Sequence, residues 1–358
     1  MSICQGLVLQ KPQKLCKILV DYYKEMDVMC LQECSTAVIT VLQQQLGTAY
    51  HIIVPGDADG TRDQNSVLCL SKKRYAAGHT EITQNIIGTF PEESRTSVMA
   101  GDLLVITCKT VTGQDYVLAS FHGDSNGLAT PVVTQKTAEF VEVSEPSPPS
   151  PPSRRPLRSL RPLPLPPTPP PPSLSPSSPG PWPLSFRRAG LEALPLPTSL
   201  TAGVLAYRSC PPPPPPPCRA CQANHPTAKL VFGMDANTCS KDDPEKLTVP
   251  PFLELCAQLR LGTCWGDSVV TGREAYTSYI GRSFLQPQLQ KGIKFNDLAT
   301  KGDRDLKDYI LFKKDQYRVS KMWKDCSGSG AWIEDAILPS FDFPSDHALL
   351  VCTLTELS

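Results

Sequence analysis

The chain has 358 residues, an apolar fraction of 40 % and a formal net charge of zero. It is long enough to bury one large core or two small ones, and the balanced charge excludes a global field that would draw in nucleic acid, a membrane surface or acidic substrates. No stretch approaches the roughly 18 uninterrupted apolar residues of a spanning helix, and no basic region followed by an apolar run opens the chain. The expectation is a soluble cytoplasmic or nuclear protein without signal peptide or transmembrane segment.

In chain order, Leu15, Ile18, Leu19, Tyr22, Tyr23 and Met26 recur at helical spacing, and the apolar run Val28–Leu31 then ends in Gln32-Glu33. That reads as helix, buried strand, acid. Strand-like runs follow at Ser66–Leu70, Leu103–Cys108 and Tyr116–Phe121. Arg95, ahead of the second of these, is a candidate phosphate contact, with a solvated surface arginine as the bland alternative. The third leads into His122-Gly123-Asp124-Ser125-Asn126-Gly127, which offers His122 to chemistry and Asn126 to substrate. The fourteen cysteines are scattered singly, several inside apolar runs, as expected of buried reduced thiols.

The strongest compositional break runs from Pro146 to Pro217 and holds 27 of the 38 prolines. Proline removes backbone donors and fixes φ, so residues 144–225 are expected to be a disordered, locally polyproline II insertion between two parts, 1–143 and 226–358, of one domain. Such a segment can bind SH3, WW or profilin-type partners, or be an unselected linker. Cys210, Cys218, Cys221 and His225 have spacing compatible with zinc, but seven prolines separate the first two and no apolar shell surrounds them. Beyond the insertion come strand-like runs at Leu230–Met234, Tyr309–Phe312 and Ala348–Leu354. Asp235-Ala236-Asn237, Asp308 and Ser345-Asp346-His347 stand at their ends. The alternation of strands and helices points to a layered α/β or α+β domain.

Cleaving a phosphate ester requires neutralised charge on the nonbridging oxygens, an oriented water and a stabilised leaving group. Magnesium, with manganese as the alternative, suits the first task and needs only one or two carboxylates, which Glu33 and Asp346 can supply. A histidine paired with an acid holds its proton and can grip a phosphoryl oxygen, and His347 with Asp308 is the expected pair. Asp235 can orient or deprotonate the water. Asn237, two residues on, would lie on the same side of an extended chain.

Leu31-Gln32-Glu33, Ser120-Phe121-His122, Gly233-Met234-Asp235-Ala236-Asn237, Lys307-Asp308-Tyr309-Ile310 and Pro344-Ser345-Asp346-His347 together resemble, in order, the sequence blocks of the endonuclease/exonuclease/phosphatase superfamily. The resemblance implies a four-layered α/β sandwich, two sheets faced by helices, with the site at one rim. It also implies magnesium at Glu33 assisted by Asp346, water handling at Asp235, phosphate contacts at Asn237, His122 and His347, and support of a histidine by Asp308. Thr277-Ser278-Tyr279 and the segment around Asp346 look most like the deadenylase and RNA-exonuclease branch, so a nucleic-acid substrate is expected. The alternatives are a lipid or phosphoinositide phosphoesterase, or an inactive scaffold presenting its proline-rich loop.

Two departures from the family pattern stand out. Members usually begin with a strand bearing a metal-side asparagine, whereas the first asparagine here is Asn65. Either an N-terminal strand is missing from the sequence or the protein has lost it. The proline-rich stretch is the other departure, a natural loop or a translated intron; loop-closure entropy grows slowly enough for the fold to tolerate it.

Overall fold

The computed structural model describes residues 3–58, 64–141, 227–241, 243–266, 275–280, 303–340 and 342–357. The proline-rich insertion and its cysteine cluster lie outside them. The first half runs α1 (Ile3–Tyr22), β1 (Val28–Cys34), α2 (Thr36–Leu46), β2 (Tyr50–Ile53), β3 (Asn65–Ser71), β4 (Tyr75–Glu81), α3 (Thr83–Ile87), α4 (Glu92–Arg95), β5 (Leu103–Thr110), β6 (Asp115–His122) and α5 (Thr130–Glu139). The second half continues with β7 (Lys229–Asp235), α6 (Val249–Gln258), β8 (Leu261–Thr263), β9 (Ser278–Ile280), β10 (Asp303–Asp305), β11 (Asp308–Lys313), β12 (Tyr317–Asp325) and β13 (Leu349–Glu356).

Strands β1, β3 and β2 form one sheet in the order β1-β3-β2, and β12 pairs with β13. A six-stranded sheet has the order β4-β5-β6-β7-β11-β8, while β9 and β10 make a short ribbon. Side chains that alternate along each strand divide between two apolar layers. On β3, Val67 and Cys69 join Leu19, Val38 and Leu42 of the helices α1 and α2. Leu68 and Leu70 turn the other way, onto Leu104, Ile106 and Leu118 of the six-stranded sheet. The far face of that sheet, with Val105, Val117 and Phe232, is covered by Ile86, Val133 and Phe252 from α3, α5 and α6. Three apolar layers therefore separate four layers of structure, helices–sheet–sheet–helices, as the resemblance implied.

Local chemistry sets several boundaries. Ser35 caps α2, its hydroxyl accepting from the Val38 amide at 3.3 Å, and Pro131 and Pro250 stand in the first turns of α5 and α6, where proline costs no hydrogen bond. The expected first helix ends at Tyr22, which is exposed rather than part of the apolar stripe, because the chain turns there into β1. Ten cysteines whose side chains are described are free thiols, seven of them buried; burial pushes the Cys30 thiol up to about 12.

Candidate active site

Three central strands of the six-stranded sheet end in one row. His122 closes β6 and stands opposite Asp235, which closes the parallel β7. Asp308, opening the antiparallel β11, stands opposite Asp235 on its other side. Directly opposed residues point to the same face. Which face follows from the alternation: Phe121, Met234 and Tyr309, the neighbours of the three polar residues, are in the layer under α5 and α6. His122, Asp235 and Asp308 therefore project into the space between the sheets.

Glu33 reaches that space by breaking the pattern of its own strand. Met29 and Leu31 face the helices, and strict alternation would send Glu33 after them. The pairing of β1 with β3 instead shifts between Leu31 and Cys34, and Glu33 adopts a left-handed backbone with φ of 54°. That conformation costs a non-glycine residue about 1–2 kcal/mol. It turns the carboxylate to 3.3 Å from His122 Nε2. Gln32 fixes the approach by donating to Ser120 Oγ at 3.0 Å, and that hydroxyl donates in turn to the Leu31 carbonyl.

His347 comes from the segment ahead of β13. A bridge between His347 and Ser278, together with a bond from the Ala348 amide to the Thr277 carbonyl, anchors it beside β9. Thr277 Oγ1 also accepts from the amides of Lys307 and Asp308, so one threonine ties the histidine segment to β11. The expected pair forms: His347 Nδ1 lies 3.0 Å from Asp308 Oδ2. Its Nε2 lies 3.7 Å from Asp235 Oδ2, the same oxygen that His122 Nε2 approaches at 3.8 Å. Two imidazoles thus converge on one carboxylate that is 5 % exposed.

The charges follow from this packing. The hydrogen bond from His122 holds Glu33 down at about 2 against the opposing effect of burial. Burial pulls His122 down, but Glu33 and Asp235 outweigh it, and its pKa is raised. For His347 burial is again overcome, here by Asp308 and Asp235, which lift it to about 10. Asp235 is raised, first by its own burial and further by the charge of Asp308, while His347 oppose this. The cluster is thus a buried carboxylate faced by the Nε2 atoms of two imidazoles, both of which their acid partners push toward the protonated form.

Of the remaining expected residues, Asp346 lines the same cavity as Glu33, Asp235, Asp308 and His347. Asn237 is placed differently from the expectation. It is left-handed, with φ of 49°, instead of extended. Its amide donates to Asp235 Oδ1 at 2.9 Å, its side chain donates to the Gly123 carbonyl at 2.7 Å, and its Oδ1 accepts from Lys307 Nζ at 3.0 Å. It braces Asp235 and holds Lys307 close by. Asn126 sits in the loop after His122, its carbonyl accepting from the Leu247 amide. The Arg95 guanidinium donates through Nε to the Phe90 carbonyl at 3.1 Å and through Nη2 to the Gly88 carbonyl at 3.0 Å, which ties it to its own turn.

Sequence reasoning named Lys307 only as part of the block around Asp308, and did not single out Ser120, Gln32 or Trp265, whose indole donates to the Asp308 carbonyl at 3.0 Å. Adjacency to Asp308 was the one available signal for Lys307. The others act across strands far apart in sequence.

Asp235, Asp308 and His347 also offer ligand atoms within 4.8 Å of one another. Both ring nitrogens of His347 face carboxylates, however, so the ring acts there as a donor to acids. Glu33 is the better fit to a hard cation: an ionised carboxylate, 45 % exposed, at the mouth of the cavity that Asp346 also lines.

No family model matches the chain, and no curated protein matches it. Among solved structures it is similar to D. rerio TDP2 complexed with a single-strand DNA product, at 12 % identity over 97 % of this chain and 92 % of that one, with a TM-score of 0.47. The human Nocturnin catalytic domain with bound sulfate anion shares 12 % identity over 100 % and 90 %, at a TM-score of 0.44. An endonuclease/exonuclease/phosphatase from Beutenbergia cavernae shares 13 % over 97 % and 66 %, also at 0.44.

Proposed function

We propose that the chain is a metal-dependent hydrolase of phosphate esters that acts on the phosphodiester bonds of nucleic acid. The observation that carries this reading is the convergence of the Nε2 atoms of His122 and His347 on a single oxygen of the buried Asp235.

A nonbridging phosphoryl oxygen would be held by the Nε2–H of His347, whose other ring nitrogen is engaged by Asp308, and by the charge of His122, whose Nε2–H is engaged by Glu33. Their grip strengthens as charge builds on that oxygen in the transition state. Asp235, made more basic by burial, orients the attacking water and takes its proton. Asn237 fixes the Asp235 carboxylate through its backbone amide, and Asp308 fixes the His347 ring. Glu33 and Asp346 would hold Mg2+ or Mn2+, which supplies Lewis-acid neutralisation of phosphate charge when bound. The nucleic-acid choice follows the resemblance of residues 277–279 and 343–347 to the deadenylase and RNA-exonuclease branch.

Purified chain is incubated with Mg2+ and single-stranded RNA, single-stranded DNA or a phosphoinositide, beside Glu33→Ala and His347→Ala. Turnover of RNA or DNA that both substitutions abolish supports the reading. Turnover of the phosphoinositide alone would move it to lipid chemistry, and the absence of mutant-sensitive turnover on all three would leave a scaffold.

A further inference from the structure

Asp235 presents its two carboxylate oxygens to different partners. Oδ2 faces the Nε2 atoms of His347 and His122, at 3.7 and 3.8 Å, whereas Oδ1 accepts from the Asn237 amide at 2.9 Å. Asn237 extends the Oδ1 side outward, because its own side-chain oxygen accepts from Lys307 Nζ at 3.0 Å. Asn237 stands beyond the end of β7 and Lys307 just before the start of β11. This side of Asp235 is therefore the rim of the six-stranded sheet, where a long substrate can lie.

The backbone of Lys307 is clamped on both sides. Its amide donates to Thr277 Oγ1 at 3.1 Å, and its carbonyl accepts from the Ala236 amide at 2.7 Å. An ammonium has three hydrogens to give, and among the described residues Asn237 is the one side chain bonded to it. Asn237 does not depend on that bond for its placement, since its amide is fixed on Asp235 and its Nδ2 on the Gly123 carbonyl at 2.7 Å.

Charge makes the same demand. Glu33 is matched by His122 and Asp308 by His347, which leaves Asp235 and Asp346 to face an anionic substrate. A divalent cation offsets those two charges and no more. The phosphodiester brings a negative charge of its own, and besides the two histidines the cation acting on Asp235 is Lys307.

From this geometry we infer that Lys307 is a phosphate-binding residue of the site: its ammonium holds one nonbridging oxygen of the scissile phosphodiester on the Oδ1 side of Asp235, while His347 holds the other on the Oδ2 side. The assignment rests on the phosphodiesterase reading and adds to it a second grip on the phosphate. Asp235, lying between the two grips, is then placed to direct the water at phosphorus.

The test compares the parent chain, Lys307→Met and Lys307→Arg, with Mg2+, on a single-stranded RNA or DNA oligonucleotide. The cleaved linkage carries either oxygen or one of the two phosphorothioate diastereomers. Sulfur in place of a nonbridging oxygen weakens the hydrogen bond accepted there, so each diastereomer reports on one grip. We expect Lys307→Met to lower kcat/KM on the oxygen substrate about 10–100-fold. It should also shrink the sulfur penalty of one diastereomer at least about threefold and leave that of the other unchanged. Lys307→Arg, which keeps a cationic donor, should retain both penalties. The penalty is a ratio within one protein, so partial misfolding of a variant cancels from it. An unchanged kcat/KM in Lys307→Met would overturn the inference, and so would a lowered kcat/KM with both penalties intact, which would make Lys307 a strut for Asn237. A parent that hydrolyses neither RNA nor DNA would remove the phosphodiesterase reading and this inference with it, an outcome distinct from an active parent indifferent to Lys307.

Discussion

Gly233 of β7 lies directly against Cys30 of β1, two residues before Asp235. A Cβ built on it would sit 2.5 Å from Cys30 Cβ and 2.7 Å from Cys30 Sγ. Carbon atoms in contact rest at about 3.5–4.0 Å, so Gly233→Ala must push β1 and β7 apart by about 1 Å or more. Neither strand can yield freely: β7 is hydrogen-bonded on both sides, and β1 is packed under α1 and α2. Overpacking of this kind costs about 1–3 kcal/mol. The displacement is aimed at the site, because β1 carries Glu33 three residues beyond Cys30 and β7 carries Asp235. Misplacement by about 1 Å can cost about a hundredfold in rate, so phosphodiesterase activity should fall by more than the stability loss alone would cause. Urea denaturation of Gly233→Ala, Cys30→Gly and the double variant forms the decisive cycle. Removing the Cys30 Cβ should recover at least about 0.5 kcal/mol of the alanine's cost. Additivity of the two single effects, or a Gly233→Ala midpoint equal to that of the parent, would refute the argument.

Three further outcomes are expected. Asp325 is fully buried and accepts from the Tyr23 hydroxyl, the Ser327 hydroxyl and amide, and the amides of Gly328 and Gly330. Asp325→Ala orphans these donors and should lower the unfolding free energy by about 3 kcal/mol, measured by urea denaturation; a loss under about 1 kcal/mol would show the turn to be supported elsewhere. The Glu33–His122 pair should give a pH-dependent stability in metal-free buffer. Glu33 titrates below its unfolded value, so its contribution is full above about pH 4.3 and is lost as pH falls toward about 2. His122 titrates above its unfolded value, so its contribution is full below about pH 6.5 and fades as pH rises. The difference in urea midpoint between the parent and His122→Gln should therefore be largest between about pH 4.5 and 6.5, and a flat difference would contradict the pairing. Finally, His347 titrates at about 10 against the pull of burial, with Asp308 the largest of the groups holding it up. In nitrogen-resolved NMR its ring should stay doubly protonated at pH 8 and lose that proton earlier in Asp308→Asn. In the same variant kcat/KM on RNA should fall about 10²–10³-fold; an unchanged ring titration would remove Asp308 from its role.

The sequence by itself determined the layers and most of the row of catalytic side chains. In β3, β5, β6 and β7 alternate residues are apolar on both faces, which marks strands covered on two sides. A polar residue ending such a strand inherits its direction from the alternation, as His122, Asp235 and Asp308 do. Which strands stand side by side is a matter of long-range pairing: β6 and β7 are neighbours although more than a hundred residues separate His122 from Asp235. Ordered blocks in a familiar sequence hinted at that pairing; only the sheet establishes it.

Tertiary structure alone decided the exceptions to periodicity. Glu33 and Asn237 enter the site through left-handed backbone conformations; asparagine tolerates this region, whereas for Glu33 the surrounding packing imposes it. Read by alternation, Glu33 points to the wrong layer and Asn237 lies on an extended chain.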